Sequence, residues 1–387
     1  MSSARQTVQP QLLLPILFNT ILTLSVLYAP QPLLPTLSRE FHVSREAAAA
    51  LTTVTFIPLA IAPLLYGYLL ESISATRLLK LAVSLLAVTE LLFAASNSFP
   101  LLIGIRLLQG LLIPAILTAL MTYISQHSSS ETIQRSMSIY IAATIFGGFI
   151  GRAISGLIAS RFGWQYSFIL LAGSLLVGLL LLYRLPTETS LKLTRPQPQR
   201  LLQTLKKPSF LAIYLTVFCV FLVFAAVMNY LPFRLTELSG QADELRIGLM
   251  YSGYTMGILT SLGAPAISRW LRGEARTIQL GLLAFGITLI GLAAGQIWLL
   301  FATMFLFCAA MFLVHATASG LVNRLAGSEN RGLTNGLYVA FYYSGGAVGS
   351  IVPGLIYRLA GWHGFLILLA LICSLGFICS RRIKLAD

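Results

Sequence analysis

Charge is scarce in this 387-residue chain: 10% of its residues are charged, against 57% hydrophobic. A soluble domain carries about a quarter charged residues, so the polar residues here are too few to cover a water-exposed surface. Acid is scarcer than base, with 12 Asp and Glu against 26 Lys and Arg and a formal net charge of +14. Cysteine is limited to Cys219, Cys308, Cys373 and Cys379, all inside apolar runs, with no disulfide framework and no metal-ligand spacing. There is no phosphate-binding Gly-rich Lys-Ser/Thr loop, no nucleophile elbow and no pair of water-exposed carboxylates. These absences exclude disorder, a disulfide scaffold, a nucleic-acid-binding module and an ATP-driven machine, and they leave no cofactor motif. What the sequence has instead is apolar runs of membrane-spanning length.

A helix crosses a bilayer in about 20 mostly apolar residues, because every backbone group must be satisfied internally. Runs between polar or Gly/Pro breaks predict twelve spans, near 11–34, 47–70, 77–96, 99–122, 136–159, 164–184, 209–233, 246–268, 276–294, 296–323, 332–357 and 362–380. The first span is too long for a signal-peptide core, so no cleavage is expected. Placing both termini in the cytoplasm puts eighteen Lys and Arg on that side. The other side then holds six, Arg39, Arg45, Arg161, Arg234, Arg246 and Arg358, while Arg106 and Arg152 fall within spans. Basic residues are retained on the cytoplasmic side, so the topology absorbs the positive charge and nucleic acid is dropped as a partner.

The long interior polar stretch, Arg184 to Pro208, is basic and proline-containing. It divides the chain into an N-terminal six-helix bundle (1–184), a cytoplasmic linker (185–208) and a C-terminal six-helix bundle (209–387). The two bundles are related in sequence. A shift of 198 residues places Gly147, Gly148, Gly151, Gly156, Gly163 and Trp164 on Gly345, Gly346, Gly349, Gly354, Gly361 and Trp362 without a gap. The same shift carries Tyr140 onto Tyr338. The expected fold is an all-α polytopic membrane protein of twelve helices in two pseudo-symmetric bundles. Parallel repeats of this kind put a binding site near the bilayer midplane, between the repeats.

Span four carries Arg106, Gln109 and Gly110. An arginine at membrane depth is costly and must face a cavity or a partner. Glu90 and Arg106 each lie eight residues from Ser98 in the connecting turn, hence at a common depth of about 12 Å. Pairing between them is expected, either as a static ion pair or as part of a coupling device. Span five carries Gly147, Gly151 and Gly156, spaced for close helix approach, with Arg152 interrupting that face or snorkelling outward. The repeat puts Ser350 at the equivalent position. Span one carries Asn19, Tyr28 and Gln31 among prolines that free backbone carbonyls. Asn229 and Tyr230 are its rough counterpart in span seven. His315 lies deep in span ten, as a proton relay or a packing residue. Tyr251, Tyr254, Tyr338, Tyr342 and Tyr343 are candidate cavity aromatics.

These residues resemble the major facilitator superfamily over essentially the whole chain. Arg106, Gln109 and Gly110 match its R-x-x-Q-G motif, whose arginine is implicated in proton coupling in the family's drug:proton antiporters. Gly147, Gly151 and Gly156 match the antiporter motif G-x-x-x-G-P-x-x-G-G, with Arg152 in place of its proline and Ser155 in place of a glycine. This form, with the Tyr-x-x-Gln-Pro-Leu-Leu-Pro run of residues 28–35, resembles an arabinose-efflux-permease-like branch of bacterial exporters. The family's loop motif after span two is eroded: Gly67 and Leu69 remain, Glu71 replaces an aspartate, and the basic residues come later, at Arg77 and Lys80.

The resemblance implies a monomeric secondary transporter of the bacterial inner membrane, exchanging protons for a small organic solute by alternating access. Arg106, Gln109, Glu90 and His315 are the expected coupling residues. Gly147, Gly151, Arg152, Gly156, Gly345, Gly349, Gly67 and Glu71 are expected at the gate. Asn19, Tyr28, Gln31, Asn229, Tyr338 and Tyr342 are expected at the cavity. The expected partners are the solute, protons and membrane lipid. The alternatives are an importer or facilitator of a sugar or organic acid, and a lipid flippase or receptor on the same scaffold.

Overall fold

The computed structural model describes residues 10–69, 73–127, 133–186, 204–240, 243–326 and 331–383. All regular structure among them is helical. In chain order the helices are α1 (Pro10–Tyr28), α2 (Leu34–Glu40), α3 (Arg45–Leu69), α4 (Ala75–Ala95), α5 (Phe99–His127), α6 (Ile133–Phe162) and α7 (Trp164–Leu182). After the linker come α8 (Pro208–Leu238), α9 (Glu244–Met250), α10 (Tyr254–Trp270), α11 (Glu274–Leu292), α12 (Ile297–Ala326) and α13 (Arg331–Ser380). Ten helices are long and apolar enough to cross a membrane, the first of them running from Leu13 through α2. Counting the two arms of α13 separately and adding α10, each of the twelve expected spans holds a helix. Most of the expected linker, and Glu71 with it, lies outside the described residues.

Two spans are broken, each for a local reason. The first parts between α1 and α2, where Pro30 and Pro32 remove amide donors and a 3-10 turn, Gln31–Leu33, bridges the gap. The eighth parts at a 3-10 turn, Tyr251–Gly253, between α9 and α10. Its Gly253 sits close against the backbone of Met304.

The internal repeat is also a repeat of contacts. Gly163 (φ 100°) and Gly361 (φ 65°) adopt left-handed backbone, which L-residues with a side chain rarely take. Each turns the chain into a helix opened by tryptophan, and both indoles are pinned, Trp164 Nε1 to Glu40 at 2.6 Å and Trp362 Nε1 to the Leu292 carbonyl at 2.7 Å. The Tyr140 hydroxyl donates to the Leu117 carbonyl (3.2 Å), and that of Tyr338 to the carbonyl of His315 (3.0 Å), 198 residues on in both cases. A Cβ added to Gly151 would fall on the backbone of Ser25, and one added to Gly349 on that of Leu222. The glycines thus let α6 rest on α1, and α13 on α8, at backbone distance.

Among the described residues, the two halves touch along α2 and α3 against α8 and α13, and along α6 against α9 and α10. Arg45 of α3 pairs with Glu237 of α8, Thr36 of α2 hydrogen-bonds Glu244 of α9, and Glu46 lies 4.0 Å from Arg358 of α13. A cavity of about 630 Å³ beside these charges is lined by Arg45, Glu46, Arg234, Glu237, Tyr357 and Arg358, among others. These contacts lie at the end of the bundle that carries the α2–α3 and α8–α9 loops. Deeper contacts reach the level of Phe56, whose ring stands 5.8 Å from that of Tyr343 and 5.6 Å from that of Phe221.

Candidate functional site

Arg106 is fully buried in α5 and makes four hydrogen bonds. Nε donates to the Leu51 carbonyl (2.9 Å), Nη2 to that of Leu27 (2.7 Å), and Nη1 to both the Val26 carbonyl (3.1 Å) and Gln109 Oε1 (2.7 Å). The Val26 carbonyl is available because the residue four positions on is Pro30, which has no N–H to give it. The guanidinium therefore ties the broken end of α1 to α3. Charge-assisted bonds of this type are worth about 1.5–3 kcal/mol each, which together offset a desolvation cost of several kcal/mol.

The expected direct pairing of Glu90 with Arg106 is corrected. Gln109 stands between them, donating from Nε2 to Glu90 Oε1 at 2.6 Å while its Oε1 accepts from Arg106. Glu90 is completely buried, and its Oε2 has no hydrogen-bond partner. One turn of α5 carries both Arg106 and Gln109, since residues three apart share a helix face.

Arg152 of α6, also fully buried, does not snorkel. It donates from Nε to Gln31 Oε1 at 2.6 Å and from Nη1 to the Gly148 carbonyl. The rings of Tyr28, Tyr254 and Tyr251 cover it at 4.0, 4.6 and 4.9 Å. Tyr28 belongs to the first half and the other two to the second. Gln31 continues the line, donating from Nε2 to Asn229 Oδ1 at 2.6 Å, and Asn229 Nδ2 reaches Ser350 Oγ at 2.6 Å. Arg152, Gln31, Asn229 and Ser350 thus form one chain of hydrogen bonds through the interface. Its members are matched by the repeat, Gln31 with Asn229 and Arg152 with Ser350.

An aromatic wall adjoins this line. Tyr28 touches Phe56, Tyr254 touches Phe224 and Phe312, and Phe221 stacks on Tyr342 at 3.7 Å. His315 and Tyr342, both half-buried, pack with ring centroids 4.6 Å apart. Tyr338 contacts both the carbonyl and Nδ1 of His315 (3.0 and 2.8 Å). A hydroxyl has one hydrogen, so satisfying both contacts puts the proton on Nδ1 and leaves Nε2 as the acceptor nitrogen.

Asn19 lies elsewhere. Its amide donates to Pro15 and Gly178, against α7, away from the cavity where the sequence leads one to expect it. Gly156 and Gly248 sit where α6 meets α9, a Cβ on Gly156 falling on the Glu244 carbonyl and one on Gly248 3.1 Å from that of Arg152. Gly67 lies within α3. Glu237, absent from the expected site residues, gathers Arg45, Arg234 and the Tyr357 hydroxyl at the loop end. An acid flanked by Arg234 at the end of an apolar run was its visible signal.

The sequence profile of the Major Facilitator Superfamily matches residues 16–273 and 235–385. The chain belongs to this superfamily. It is a multi-pass membrane transport protein, not an enzyme. It is 24% identical to an uncharacterized transporter of Buchnera aphidicola subsp. Schizaphis graminum, over 97% of this chain and 91% of that protein. It is 26% identical to the inner membrane transport protein YnfM of Escherichia coli (strain K12), over 93% and 87% of the two chains. The MFS-type transporter YybF of Bacillus subtilis (strain 168) is also 26% identical, over 96% and 93%. Among solved structures, the nucleoside transporter NupG superposes with a TM-score of 0.79 at 14% identity, over 96% of this chain and 100% of that one. A bacterial homolog of the human lysosomal transporter Spinster, inward-facing and unoccupied, gives 0.77 at 12%, over 97% and 98%. At such identities the likeness concerns the major facilitator fold alone.

Proposed function

We propose that this superfamily member is a proton-coupled exporter of a small organic solute, working by alternating access in a bacterial inner membrane. The observation that carries the reading is the buried relay Glu90–Gln109–Arg106. A titratable carboxylate at membrane depth is joined through one amide to the guanidinium that holds α1 to α3. When Glu90 takes a proton it no longer draws Gln109 as an anion does, and Gln109 is then free to change its grip on Arg106. That gives proton occupancy a mechanical outlet in the helices facing the second half. His315, with Nε2 open to a ligand or a proton, serves from the opposite wall. Both termini are cytoplasmic in this reading, residues 1–184 and 209–387 are the two moving bundles, and the loop-end contacts are the outer gate in its closed state. The chain acts as a monomer.

The test is a mass-spectrometric comparison of extracellular and intracellular metabolites in cells expressing the wild type or Arg106→Ala, with and without a protonophore. A solute enriched outside only with the wild type, and lost with the protonophore, is the expected result. A solute enriched inside would establish import instead.

A further inference from the structure

We propose that the transported solute is an organic anion with an apolar body, and that Arg152 is the group that binds its carboxylate. This deepens the transport reading above and rests on it. The first ground is a charge imbalance. Among the described residues, every acid except Glu90 lies within two residues of a helix end or outside the helices. Glu90 belongs to the Arg106 relay. Arg152 is 0% exposed, and its partners are neutral: the Gln31 amide, the Gly148 carbonyl and three tyrosine rings. No carboxylate among the described residues pairs with it. A cation held in a low-dielectric site by dipoles alone keeps its attraction for an anion, and a planar guanidinium matches a carboxylate edge to edge.

The second ground is the shape of the approach. Tyr28 and Tyr254, two of the covering rings, are also the ends of the aromatic wall formed with Phe56, Phe224 and Phe312. These rings are buried in this structure, so the wall takes the solute when the halves part, and an apolar body resting on it then places its carboxylate beside the two rings that cover Arg152. Gly148 lies between them. A Cβ there would stand 3.3 Å from Arg152 Nη1, 3.4 Å from Tyr28 Cδ2 and 3.5 Å from Tyr254 Cε1. Any side chain at this one position would crowd the guanidinium and both rings, so its absence keeps the way to the arginine clear once the rings part. The repeat sharpens the assignment, because Ser350 occupies the matching place in the second half and offers no charge. The positive charge is therefore one-sided, and a solute carrying a single anionic end fits it.

The experiment uses the purified full-length chain in detergent and three probes of matched shape, benzoate, benzamide and benzylamine, read by the shift in unfolding temperature. Benzoate is expected to raise it in a dose-dependent way, with benzamide and benzylamine producing at most a tenth of that response. Arg152→Gln should abolish the benzoate shift and Arg152→Lys should weaken it at least tenfold in apparent affinity. Should Arg152→Gln not melt cooperatively, Gly148→Val supplies the same test, blocking the approach while keeping the arginine. Equal shifts from benzylamine or benzamide, no shift from any probe, or a benzoate shift surviving in both variants would overturn the assignment. The transport reading fails separately. Protonophore-sensitive export of a cationic or neutral solute leaves it standing and removes the anion site, whereas benzoate binding abolished by Arg152→Gln, without gradient-driven movement, does the reverse.

Discussion

Gln31 and Asn229 occupy equivalent places in the two halves, 198 residues apart, and bond directly to each other at 2.6 Å. Each also bonds to its own half's equivalent of the same residue, Arg152 for Gln31 and Ser350 for Asn229. The repeat axis therefore passes close to a single hydrogen bond. Replacing Gln31 or Asn229 by leucine leaves buried polar groups unpaired, at about 1–3 kcal/mol each. Because the bond joins the halves, the loss falls on the closed interface as well as on overall stability. Alkylation of a cysteine placed at Ser44 should be faster in either variant, and the double variant should add little to the singles. Full additivity would show that the two amides act apart.

Arg106→Ala removes the donor to three backbone carbonyls on two helices. We expect about 3–5 kcal/mol of destabilisation, the cost of breaking a buried charged network, with membrane insertion retained. Uphill transport should be lost entirely. Arg106→Lys restores the charge but not the fork, and should recover stability in part without recovering transport. Thermal unfolding together with counterflow in proteoliposomes separates the two effects.

Glu90→Gln keeps an acceptor for Gln109 and removes the titratable group. The variant should still catalyse downhill exchange of solute, with its rate no longer responding to a pH gradient. Uptake into everted vesicles at fixed solute gradient and varied pH is the measurement. A pH response unchanged from wild type would exclude Glu90 as the proton carrier.

The pair Arg45–Glu237 is partly exposed, with 45% and 31% of the side-chain surface accessible. Such a pair contributes about 0.2–1 kcal/mol, so Glu237→Gln should shift the open-to-closed ratio at the loop end by only about 1.4- to fivefold. Reversing the pair, Arg45→Glu with Glu237→Arg, should restore only part of the shift, because Arg234 would then face a like charge. Site-directed spin labels on Ser44 and Gly240, in the two loops beside the pair, report the distance distribution directly.

The fold was legible because composition leaves no alternative to spanning helices, and because the Gly163-Trp164 and Gly361-Trp362 corners recur at one offset. The split of the eighth span was not legible. No proline lies at Tyr251–Gly253, and the turn depends on the close approach of Gly253 to Met304 in another helix. Counting along the hairpin placed Glu90 and Arg106 at one depth, but depth does not choose the hydrogen-bond partner, and Gln109 takes the place between them. The repeat identified Gln31 and Asn229 only as loosely corresponding. Correspondence under a shift does not reveal that two residues touch, which depends on how near the axis they lie. Asn19 shows the opposite limit: α1 is apolar on every side, so nothing in its pattern says that this amide faces Gly178 of α7.

The break in α1 bears on how the chain is made. The Val26 carbonyl, released by Pro30, waits for a donor on Arg106, eighty residues later in the chain. At 5–20 residues per second, synthesis takes roughly 4–16 seconds to reach it. During that interval α1 sits beside the translocon with an orphan acceptor that lipid cannot satisfy. It should leave for the bilayer only in the company of α5, making α1 through α5 one unit of membrane insertion rather than five independent ones.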